Sequence, residues 1–119
     1  YQNAKEAFEN RELNSVNYKV ALEKFYRAID LLELAKLNKP ALARFKAMYK
    51  DSVRSVNILN RELDDFFKLS RGSIQEGSRI DDDKQRNRAK RRIMEELNRF
   101  PEDDLRKKKL TELIQEMFQ

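Results

Sequence analysis

The stretch NYKVALEKFYRAI, Asn17 to Ile29, decides how the rest of the chain is read. Tyr18, Ala21, Leu22, Phe25, Ala28 and Ile29 recur at intervals of three and four, the spacing that gathers side chains on one face of a helix. Leu32 and Ala35 continue the cadence, so a helix is expected from about Tyr18 to Leu37. Tyr26 and Leu31 widen the apolar arc to roughly half the circumference, more than one neighbour needs. A helix dressed in this way packs between two others.

Working outward, Ala4, Ala7 and Phe8 form a short apolar patch, giving a first helix over about Gln2–Leu13. The segment NSVN interrupts it, and Ser15 or Asn17 is placed to cap the helix that follows. Downstream, LNKP makes the next break, with Pro40 suited to a first helical turn where its missing N–H is not needed. Leu42, Phe45, Tyr49, Ser52, Val56, Leu59, Leu63 and Phe66 then alternate three and four without a slip, with Ser52 the single polar member. A third helix from about Pro40 to Leu69 is expected, about 45 Å long, with coiled-coil-like packing.

The segment SRGSIQEGSRI holds both glycines, and Gly72 is placed to end the third helix in a left-handed cap. Residues 71–80 are therefore expected to form a loop or hinge. A fourth helix opens on Asp81, Asp82 and Asp83, acids where the helix dipole favours them. Its apolar positions, Ala89, Ile93, Met94, Leu97 and Phe100, begin only halfway along, so Asp81–Arg88 is expected to project into solvent or fray. Pro101 stops it, and a last helix packs Leu105, Leu110, Leu113, Ile114, Met117 and Phe118. The expected fold is all-α: an antiparallel three-helix bundle over 1–70 and a C-terminal helical hairpin over 81–119, within a single domain.

Composition removes whole classes of chemistry. The 119 residues contain no cysteine and no histidine, which excludes disulfides, thiolate zinc sites, cysteine nucleophiles and histidine bases. Two glycines cannot build a phosphate-binding loop. Charged residues make up 39% of the chain, yet its apolar positions are too periodic for simple disorder. No apolar run is long enough to span a bilayer, and the first ten residues carry no targeting signal. A start at Tyr1 without methionine suggests a piece of something longer, so a removed signal stays open; the expected setting is the cytoplasm. A non-catalytic protein without metal or cofactor is expected.

The helical pair AKEAFENRELNSVNYKVALEKFYRAIDLLE, Ala4 to Glu33, resembles a tetratricopeptide unit through the small–large rhythm of Tyr18, Ala21, Phe25 and Ala28. Its turn is longer than that repeat permits. NYKVALEKFYRAI is also similar to the opening of the second helix in the MIT domain, a three-helix relative in trafficking proteins. Long second and third helices favour the MIT layout. The third helix lacks that family's Arg-Ala-Glu stretch, and the last forty residues have no place in it. The resemblance covers residues 1 to about 68 and implies a class of function, peptide binding in a groove or on a concave face. No groove residue carries over position by position.

Specific candidates follow from the pattern. Met48 and Phe67 lie off the seam of the third helix and either line a groove for a partner helix or touch the last two helices. KQRNRAKRR, Lys84 to Arg92, holds six basic residues among nine; on a helix Lys84, Arg88, Arg91 and Arg92 share one side. With acids flanking it on both sides, this run is expected to be a solvated, salt-bridged face; the alternatives are docking of an acidic protein partner and binding the phosphates of a nucleic acid or anionic membrane. The second basic run, Arg106–Lys109, is expected to pair with Glu102, Asp103 and Asp104. Asp81–Asp83 are expected to serve the helix terminus rather than a cation, and Asp64–Asp65 and Glu95–Glu96 to be solvated surface. The expected function is an adaptor or scaffold that binds a partner helix or peptide. The alternatives are a nucleic-acid-binding domain using the basic fourth helix and a structural oligomer.

Overall fold

The computed structural model describes residues 1–38 and 43–119, with side chains described except at 35–38. The side-chain placements expected for Ala35 and Leu37, and the expected positions of Pro40 and Leu42 with the break after Asn38, lie outside what is described. The described residues form helices α1 (Gln2–Glu9), α2 (Val16–Asn38), α3 (Ala43–Ser78), α4 (Asp83–Glu96) and α5 (Leu105–Met117), with a short 3₁₀ turn over Leu97–Arg99. No strand occurs among the described residues, so the fold is all-α. Two compact units divide the chain, Tyr1–Arg61 and Glu62–Gln119, and α3 contributes to both.

In the first unit the stripe read from Asn17–Ile29 is the core. Ala21, Leu22, Phe25 and Ala28 are buried, and α1 packs on α2 through Ala4 and Ala7. Alanines at these positions let the helix backbones approach, and Phe25 fills the space beside them, meeting Phe8 edge-on at 6.1 Å. α1 ends sooner than its apolar pattern suggests, at Glu9 rather than Leu13. Asn10 turns its side-chain amide back to the Glu6 carbonyl, and Leu13 is 83% exposed. The side-chain oxygen capping the start of α2 is that of Asn14, which accepts from the Val16 N–H, one residue before Ser15.

The α3 residues of this unit follow the expected seam. Ser52, Val56 and Leu59 are buried, and Ser52 satisfies its hydroxyl by donating to the Met48 carbonyl at 2.7 Å. Asn60 donates to the Tyr26 hydroxyl and Tyr49 to the Glu33 carboxylate, pairs that run in opposite order along α2 and α3. The hydrogen bond with Glu33, followed by that residue's charge, raises the Tyr49 pKa. Tyr1 donates to Asp51 at 2.6 Å; burial, then this bond and the adjacent negative charge, push its phenol up to about 12.

The second unit corrects the loop expected over 71–80. α3 continues through Gly72 to Ser78, and neither glycine has a positive φ. Ser70, Ile74 and Gly77 extend the buried seam beyond Leu63 and Phe66, and Ile74 is fully covered. Burying an isoleucine is worth about 1.5–3 kcal/mol, which outweighs the roughly 1 kcal/mol that one glycine costs a helix. Gly72 itself is exposed, and a Cβ added there meets nothing within 4 Å. Gly72→Ala is therefore expected to stabilise the protein by about 0.4–1 kcal/mol. A thermal midpoint that stays put or falls would refute this account of the helix.

Asp82 caps α4 by accepting from the Gln85 N–H. The first turns of α4 are regular helix rather than frayed, with most side chains in solvent. Phe100 adopts the extended backbone that a following proline imposes, ending the 3₁₀ turn and burying its ring against Phe66 at 5.6 Å. Leu110 and Ile114 of α5 are buried as expected, whereas Leu105 is 61% exposed, a correction to its place in the apolar face. Leu105 opens the helix directly after the cap residue Asp104.

Candidate protein-docking surface

α4 displays its basic run unequally. Lys84, Arg88, Arg91 and Arg92 are all exposed, as the helical spacing required. Arg86 points elsewhere: it donates to the Ile80 carbonyl just past α3 and pairs with Asp83. Asp82 caps the helix and Asp83 pairs with Arg86, so neither makes an ion pair with the exposed row. Among the described residues, Lys84, Arg88, Arg91 and Arg92 make no ion pair or hydrogen bond through their side chains. The salt-bridged face expected from the flanking acids is thus solvated but unmatched. Asp82 caps α4 and Asp83 lies in its first turn, and no cluster of acidic side chains suited to a metal ion occurs among the described residues.

The second basic run behaves differently. Arg106 forks onto Asp104 at 2.7 Å and reaches Asp64 at 2.9 Å, and Lys107 meets Glu102 at 3.0 Å. Asp104 also accepts the Arg106 backbone N–H, capping α5. Burial works against the Asp104 carboxylate, yet the side-chain and backbone hydrogen bonds from Arg106, together with its charge, hold it below the ordinary aspartate range. Arg106 also lies 5.4 Å from the Phe100 ring, and Arg99 sits 3.7 Å from Phe66. These contacts make a bracing of cations and aromatic faces at the foot of α5.

Met48 falls in the first unit and Phe67 in the second. Met48 is half-buried in the first unit. Phe67, also half-buried, lines a shallow trough of about 310 Å³ with Arg71, Lys109, Leu110 and Leu113. Phe67 therefore lies beside α5.

A feature missed in the sequence is a groove of about 390 Å³ between α4 and α5. Lys90, Met94, Leu97 and Asn98 form one wall, and Lys107, Thr111, Ile114 and Gln115 the other. Leu97 and Ile114 are buried at its floor, while Met94 is 48% exposed at its edge. Sequence alone counted Met94 as core and set Lys90 apart from the basic row. The recurrence of Lys90, Met94, Leu97 and Asn98 at three-and-four spacing was the available signal.

Comparison with protein-family models, curated proteins and solved structures finds no match to this chain. Among the described residues no helix is long and apolar enough to cross a membrane.

Proposed function

We propose that the chain is a non-catalytic adaptor module that binds another protein, a helix or peptide, using α4 as its docking face. The observation that carries this reading is the exposed, unmatched row Lys84, Arg88, Arg91 and Arg92. A cation without an internal counter-charge contributes nothing to folding through pairing, whereas across an interface it steers an acidic partner and selects against a basic one. The alanine-rich stripe of α2, similar to MIT and tetratricopeptide helices, supports the same class of function. Arg106, already paired with Asp104 and Asp64 within the fold, is excluded from the docking set.

The triple charge reversal R88E/R91E/R92E tests this. Because all three side chains are exposed, the variant is expected to keep its helical signal and unfold near the wild-type midpoint. Capture of protein partners from native extract, measured by quantitative mass spectrometry against the wild-type chain, is expected to fall about tenfold or more. Equal capture by both chains would remove α4 as the docking face. A phosphate-binding surface would instead show generic RNA retained on the wild-type chain, with affinity falling steeply as salt rises.

A further inference from the structure

We propose that the groove between α4 and α5 seats the apolar side of a two-turn acidic helix, the anchor point of the partner that α4 attracts. The inference rests on the protein-binding reading above and gives the partner its chemistry. Lys90 to Asn98, the last two residues in the 3₁₀ turn that follows α4, and Lys107 to Gln115 on α5 each span eight residues' rise, so both walls run about 12–13 Å. That length matches two turns of helix, which present one or two apolar side chains on a single face. Leu97 and Ile114 supply a buried apolar floor, and Met94, exposed and unbranched, supplies an adaptable lip.

Charge complementarity selects the occupant. The ionisable groups lining the groove are Lys90 and Lys107, and no carboxylate lines it. Lys107 is held by Glu102, whereas Lys90 has no ion pair among the described residues. Arg91 stands one turn before Met94 on α4 and is exposed, so the positive rim of the groove continues into the docking face. A segment carrying acids beside a leucine- or phenylalanine-like anchor satisfies both the floor and the rim. A basic or uniformly polar segment satisfies neither.

Selection from a random 16-residue peptide library, with the full 119-residue chain as bait, tests the inference. The expected winners carry glutamate or aspartate around apolar residues spaced three or four apart. They are expected to bind the Met94→Glu and Lys90→Glu variants about tenfold or more weakly. Circular dichroism and thermal midpoints verify that each variant is folded. Winners that are basic, or whose binding both folded variants leave unchanged, would overturn the groove while leaving a protein-binding role intact. So would an absence of winners, or a self-association that Met94→Glu abolishes. Retained peptide binding by R88E/R91E/R92E, alongside unchanged partner capture, would instead retire the α4 docking face and leave the groove standing.

Discussion

Phe25→Ala is expected to lower the unfolding free energy by about 3–5 kcal/mol, the cost of deleting a fully buried aromatic ring from a packed core. Phe25 has no exposed surface, lies between the buried alanines 21 and 28, and meets Phe8 edge-on. Small neighbours cannot swing in to fill the cavity, so little of the loss is recovered. Its sequence neighbour Tyr26 provides the contrast. Tyr26 is 47% exposed and holds only a surface hydrogen bond from Asn60, so Tyr26→Ala is expected to cost about 1 kcal/mol or less. Urea denaturation of both variants measures the difference. Equal losses at the two positions would mean that the three-and-four stripe is not the core of the first unit.

Asp104→Ala is expected to cost about 2–4 kcal/mol at neutral pH, combining a lost helix cap with lost charge-assisted bonds to Arg106. The side chains concerned are well covered, 10% exposed for Asp104 and 18% for Arg106. Glu102, 70% exposed in its pair with Lys107, is the control: Glu102→Ala is expected to cost less than about 1 kcal/mol. The pH dependence has a definite sign. The folded pKa of Asp104 lies below its unfolded value, so its stabilisation is complete above about pH 4 and disappears as pH falls through the folded value. Urea midpoints of wild type and Asp104→Ala are expected to converge as pH is lowered from 7 towards 3. A gap independent of pH would show that the carboxylate's charge plays no part.

Much of the first unit could be read from spacing because its core obeys one period. Ala21, Leu22, Phe25 and Ala28 on α2, with Ser52, Val56 and Leu59 on α3, are buried where the three-and-four rule puts them. The misreading at Gly72 has a local cause. A glycine in polar surroundings resembles a helix end, and only the burial of Ile74, a tertiary effect, reveals that the helix continues. The exposed row on α4 was legible because exposure follows helical phase. Its lack of ion pairs was not, since that depends on the partners Asp82 and Asp83 take in the fold. The groove was hidden for a related reason: it belongs to two helices at once, and periodicity reports on one helix at a time.

The end of α3 carries a constraint on how this sequence can drift. A methyl group at position 77 would stand 3.1 Å from the tip of the Phe118 ring and 3.5 Å from both Ala89 and Ile93. Glycine there and phenylalanine near the chain's last residue are therefore one choice made at two places. Enlarging the first obliges the ring to retreat by a few tenths of an ångström, or the second position to hold something shorter. Descendants of this chain that exchange Gly77 for alanine should reveal it by what they carry forty-one positions later.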